Sequence, residues 1–199
     1  MFYPYLQGFT IVWGAFLAVF GTITPIFYLW KVDIKETLLQ NHSKATTNAV
    51  ISYVGNRPDR FKELFTLFLR SEPLVRQRAA WPLSYIVTLF PELIRPYFGK
   101  LVKYLKENDH HPAIYRNAFR FLQTLEIPEK YEGPILDIAL KYVKDINAPV
   151  AIQAFAMTTA ANIAKKYPEL KSELIAIIEE NLPYAANGYK ARARKIIGH

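Results

Sequence analysis

The chain has 199 residues, 51% hydrophobic and 21% charged, which supplies apolar material for one or two domains with a true core. Its 25 Lys and Arg outnumber 17 Asp and Glu, and the formal net charge of +8 attracts anions without selecting a partner. No cysteine is present, which excludes disulfides, thiolate nucleophiles and thiolate-held metals and leaves the redox compartment open.

Residues 1–30 carry no charged side chain, and residues 9–30 form a run of Phe, Ile, Leu, Val, Ala and Gly long enough for a helix to cross roughly 30 Å of hydrocarbon. Phe2, Tyr3 and Tyr5 precede the run and Tyr28 and Trp30 close it, as interfacial aromatic belts do. Pro25 would bend such a helix without forbidding it. Two readings stand side by side: a membrane anchor, or an upstream extension that is not native to the protein. A cleavable signal peptide lacks its leading basic region here, and a buried capping helix lacks a polar face. If the anchor is real, Lys31 and Lys35 place the following domain, residues 31–199, on the cytoplasmic side and make a membrane a partner.

From Val32 onward the pattern is helix after helix. Pro58, Pro91, Pro128 and Pro168 each follow an apolar run and act as stops. Pro73, Pro112 and Pro149 open the next runs, where a missing N–H costs nothing. The prolines bracket second helices of about 12 to 16 residues, and between them lie first helices predicted over 60–69, 94–106, 133–144 and 169–182. Within the second helices one phrase returns every 36 to 39 residues: Val75, Ala79, Leu83; then Ile114, Ala118, Leu122; then Val150, Ala154, Thr158; then Tyr189, Ala193, Ile197. Such self-similarity marks a helical solenoid, whose repeats bury their apolar faces only against one another. The small residue of each phrase lets paired helices approach closely at their crossing.

The phrase Glu72-Pro73-Leu74-Val75-Arg76-Gln77-Arg78-Ala79-Ala80-Trp81-Pro82-Leu83 resembles the second helix of a HEAT repeat, in which a Val-Arg pair, a small residue and a Leu follow in this order. The resemblance covers residues from about 43 to 199 and implies an all-α, right-handed α-α superhelix of four or five helix pairs. Tyr115, Ala151 and Lys190 stand where Arg76 does, which puts the family's repeat-to-repeat polar link in doubt there. Many small bacterial HEAT-like proteins have no established chemistry. A basic group related to DNA alkylation repair cradles duplex DNA and sets Trp and Asp residues against the lesion.

The residues just before each repeated Ala are Arg78, Asn117, Gln153 and Arg192, and Arg76, Arg116, Arg120, Lys190, Arg194 and Lys195 stand nearby. Together they read as a polar, mainly basic stripe able to meet phosphates or an acidic protein, or simply as a solvated face paired to the next repeat. Trp81 is positioned either to face the same groove or to join the core; Asp109 falls in a turn and Asp137 on a first helix, so neither converges with Trp81 on a glycosylase-like site. Asp109, His110 and His111 read as a helix-capping turn, since adjacent His residues ligate a metal awkwardly and no further ligand is near. Asn187-Gly188 reads as a turn. Of the aromatics Phe90, Tyr97, Phe98, Tyr104, Tyr115, Phe119 and Phe121, most belong in the core, a minority beside Arg116 and Arg120.

No phosphate loop, nucleophile elbow, paired carboxylates or adenylosuccinate-lyase signature loop occurs, so the sequence implies no cofactor, metal or small-molecule substrate. The expectation is a non-enzymatic scaffold that binds a protein or peptide through its second-helix face, using Arg76, Arg78, Trp81, Arg116, Arg120, Gln153, Lys190, Arg192 and Lys195. The alternative is a DNA-binding or DNA-repair protein on the same basic surface.

Overall fold

In the computed structural model, residues 32–107 and 110–198 are described. The apolar leader and Asp109 lie outside them. Among the described residues there is no strand, and no helix is long and apolar enough to cross a membrane.

The elements run α1 (Ile34–Gln40), α2 (Lys44–Val54), α3 (Pro58–Arg70), α4 (Pro73–Leu89), a 3-10 helix (Pro91–Tyr97), α5 (Phe98–Lys106), α6 (Pro112–Leu122), α7 (Glu129–Lys144), α8 (Val150–Ala164), α9 (Pro168–Asn181) and α10 (Asn187–Ile197). Local chemistry explains the boundaries. Asp33 accepts from the Glu36 amide at 3.0 Å and Ser43 from the Thr46 amide at 3.1 Å, which caps the first two helices. Pro58, Pro73, Pro112 and Pro168 occupy the first turns of α3, α4, α6 and α9, whose N–H groups have no partner within the helix in any case. The helix predicted over 94–106 is α-helical only from Phe98. Pro96 removes an amide donor from its first half, and the chain takes tighter 3-10 turns there. The helix predicted from 133 starts at Glu129, because Pro134 falls so early in α7 that the carbonyl it leaves unpaired is in the first turns.

Five helix pairs stack in two layers. The second helices α2, α4, α6, α8 and α10 pack each on the next, and α1, α3, α5, α7 and α9 form the other layer. This is an all-helical solenoid whose core lies between the layers. Phe61, Phe65 and Phe68 of α3 pack against Tyr97 and Tyr104, and Phe98 stacks on Tyr131, so the expected aromatic core of the middle repeats is present. At roughly 150–250 Å2 per ring, these side chains dominate the burial.

Val75, Ala79 and Leu83 of α4, Ile114, Ala118 and Leu122 of α6, and Tyr189 and Ala193 of α10 are all buried. In α8 the phrase sits two residues further on. Val150, Ala154 and Thr158 are only half-buried, whereas Ile152, Ala156 and Ala160 are at 1%, 0% and 0% exposure. Val75, Ile114 and Tyr189 are the third residues of their helices, and Ile152 is the third residue of α8. The sequence misleads because Pro149 lies outside α8 as its N-cap, whereas Pro73 and Pro112 lie inside their helices. Asn187-Gly188 is likewise the opening of α10 rather than a free turn. A Cβ on Gly188 would come within 2.6 Å of Val150 Cγ1, so glycine is what lets α10 approach α8 here.

Ala156→Leu and Ala118→Leu should each cost about 1–3 kcal/mol by overpacking a helix crossing, and Ala154→Leu should stay within about 0.5 kcal/mol. Chemical denaturation of the three variants checks this register, and equal losses at 154 and 156 would overturn it.

Candidate functional site

An α-helix leaves its last four carbonyls without an internal donor, and when another repeat covers that end, a side chain must supply the hydrogen bond. That demand sorts the basic stripe. Arg78 Nη1 donates to the Leu38 and Leu39 carbonyls at 2.8 and 3.0 Å, closing the end of α1. The Gln153 amide donates to the Asp145 carbonyl at the end of α7 (2.6 Å), and the Tyr115 hydroxyl donates to the Glu107 carbonyl at the end of α5 (2.8 Å). Asn162 reaches Gln123, Asn181 reaches Val143 and Arg60 reaches Tyr53 in the same way.

Gln153 is therefore 2% exposed and holds a helix end instead of facing a partner, which corrects its place among the expected binding residues. In the corrected register it shares the column of Arg76, Tyr115 and Lys190, the fourth residues of their helices. Tyr115 and Gln153 fill this column with a bond inside their own repeat, each to a carbonyl eight residues earlier, and do not supply a repeat-to-repeat link. Asn117 is 1% exposed and donates to the Ala113 carbonyl. Arg192 donates to Thr158 Oγ1 at 2.7 Å.

What remains on the surface is a face built around the ninth residues of the second helices, with Tyr85 of α4 and Phe155 of α8 beside them. The ninth-residue column is Trp81, Arg120, Thr158 and Lys195. Trp81 is half-buried against His42, with ring centroids 5.1 Å apart. The Arg120 guanidinium lies over Tyr85 of α4 at 5.2 Å and Phe155 of α8 at 5.8 Å, so one cation joins three successive repeats. Tyr85 is 42% exposed. The aromatics beside Arg120 thus come from the neighbouring repeats; Phe155, partly buried against the core, falls in the column of Arg78, Asn117 and Arg192 only once the α8 register is known. Arg116, next to them, is half-buried and its Nε has no partner. At the far end, Arg192 and Lys195 line a cleft of about 320 Å3 with Thr158, Lys165, Lys171 and the apolar Leu174.

A model of HEAT repeat domains matches residues 34–197. The chain belongs to the HEAT repeat family. No curated protein and no solved structure matches it.

Arg76 stands apart from the face of this HEAT repeat domain, in a cavity with Tyr104, His110 and His111. As expected of a capping turn, His111 Nδ1 accepts from the Ala113 amide at 3.2 Å. Burial raises the Tyr104 phenol above its ordinary pKa, and the nearby Arg76 charge opposes that shift. Among the described residues no cluster of His, Asp or Glu has the makings of a metal site. Asp137 is exposed on α7, in the layer opposite Trp81.

One acid ties the layers elsewhere. Glu132, 4% exposed, accepts from Lys166 Nζ and from the Tyr167 hydroxyl (3.0 Å). These hydrogen bonds raise the pKa of both donors. Their contribution is complete below the ordinary lysine and tyrosine values, 10.5 and 10.0, and is lost as pH rises past the raised values. Glu132→Gln should lower the melting temperature at pH 8, and the gap from wild type should narrow above about pH 10.5. A gap constant with pH in thermal melts would contradict this.

Arg78→Ala should cost about 1–3 kcal/mol and speed amide exchange in α1 before the rest of the HEAT array. Arg78→Lys should recover little, because a single ammonium does not reproduce the guanidinium fork. Hydrogen-exchange mass spectrometry reads both effects.

Proposed function

We propose that the chain is a non-enzymatic scaffold that binds another protein through the second-helix face of α4, α6 and α8. The observation that carries this reading is the Tyr85–Arg120–Phe155 row, an arginine held between two partly exposed rings across three repeats. Arg and aromatic side chains are the residue types that anchor protein interfaces, and most of an interface's energy comes from a few such groups. HEAT repeats are generally protein-interaction scaffolds, which favours the same class of activity. Holding the row in place before binding reduces the ordering cost of association.

The basic surface is less available to nucleic acid than the charge count suggests. Arg78 and Arg192 are engaged within the array, Arg120 is stacked, and Gln153 is buried. Trp81 packs on His42.

The test compares affinity capture by the wild-type chain and by the Tyr85→Ala, Arg120→Glu double variant, followed by titration of each differentially retained protein in purified form. Truncating an interface anchor costs roughly 2 kcal/mol or more, so the variant should bind a true partner at least about tenfold more weakly with an unchanged melting temperature. Identical retention by both proteins would reject the face. Fluorescence anisotropy with a labelled DNA duplex at low and physiological salt should show no salt-sensitive binding; tight binding lost with salt would move the protein to the nucleic-acid class.

A further inference from the structure

The cavity around Arg76 has about 280 Å3 of open volume and is lined by Pro73, Arg76, Tyr104, His110, His111 and Ile114. A water takes roughly 30 Å3, so this space holds far more than one bridging solvent molecule.

Among the described residues its polar lining holds more donors than acceptors, the acceptors being His110 Nδ1 and the Tyr104 oxygen. Arg76 Nε and the Tyr104 hydroxyl are buried with no hydrogen-bond partner, and Tyr104 as a whole is 6% exposed. His110 has a side chain only 4% exposed, stacked on Tyr104 at 3.9 Å. Its Nε2 is 2.8 Å from the Tyr104 carbonyl, which can only accept, so that nitrogen carries hydrogen and is used. His111 Nδ1 accepts the Ala113 amide, so the ring hydrogen sits on Nε2, a further donor beside the cavity. The Glu107 carboxylate approaches His110 Nε2 to 3.9 Å but is 58% exposed and does not line the space.

Buried polar groups without partners are uncommon in folded proteins, and a guanidinium that meets no carboxylate among the described lining residues calls for an anionic guest. We propose that this cavity binds a phosphate group, inorganic or carried on a small ester, held by Arg76, the Tyr104 hydroxyl and His111. An arginine supplies charge-assisted hydrogen bonds to phosphate, and the phenol adds a shorter O–H donor. The site uses none of the residues of the Tyr85–Arg120–Phe155 row, so it stands or falls separately from the protein-binding face.

The test is calorimetric titration of the full chain with sodium phosphate and with phenyl phosphate, each against sodium chloride at matched ionic strength. Saturable one-to-one binding is expected in phosphate and not in chloride. The tighter of the two probes tells a free phosphate from an ester. Arg76→Met should weaken binding by about tenfold or more. Tyr104→Phe keeps the ring and its packing, so it should weaken phosphate binding several-fold without lowering the melting temperature in chloride. That variant and His111→Ala carry the test if Arg76→Met fails to fold. No heat above the chloride control would mean that the donors meet ordered water only, and equal affinity in wild type and Tyr104→Phe would place the bound phosphate elsewhere; either result would overturn the site.

Discussion

The whole array rests on one requirement: helix C-termini covered by the next repeat must find hydrogen-bond donors for their last carbonyls. Apolar stacking holds the repeats together, but it is indifferent to small slides between them. The side-chain donors are not. Tyr115 and Gln153 hold the two helices of their own pairs, while Arg60, Arg78, Asn162 and Asn181 each reach one particular helix end of the preceding pair and fix how far the second, fourth and fifth pairs are advanced on it. A buried carbonyl left unanswered costs about as much as a lost hydrogen bond, so these contacts set position more than they add net stability.

The same requirement determines what the protein has left for recognition. Residues that look like a basic docking stripe are divided between structure and surface. Arg78 and Arg192 are spent on neighbouring repeats, Arg120 is stacked between rings, and Arg76 is turned into a polar cavity. The surviving face is more aromatic and less cationic than the sequence implies. That composition favours the proposed protein-binding reading over the dispersed cation contacts that phosphate backbones reward.

How much of this could be read from the chain depends on the scale. The repeat period, the proline punctuation and the buried Val75–Ala79–Leu83 and Ile114–Ala118–Leu122 stripes follow from helical spacing alone. The α8 register does not. That helix is rich in Ala and Thr and nearly uniform in hydrophobicity around its circumference, so an Ala phrase fits at 154 as well as at 156. The error propagates to the site, where it places Gln153 on the surface and conceals Phe155. The fates of Arg78 and Arg192 are also illegible, because a guanidinium that caps a helix 40 residues away has the same local spacing as one in solvent. Only three-dimensional proximity distinguishes them.

Five of the ties between repeats share a direction, whereas Ser84 donates forward to Asn117 and Lys35 pairs forward with Glu72. Arg78, Asn162, Asn181, Tyr189 and Arg192 all donate backward along the chain, to acceptors 34 to 46 residues nearer the N-terminus. On a ribosome, then, each of these five donors emerges after its acceptor. The second, fourth and fifth pairs can therefore each hook onto structure that has already been made.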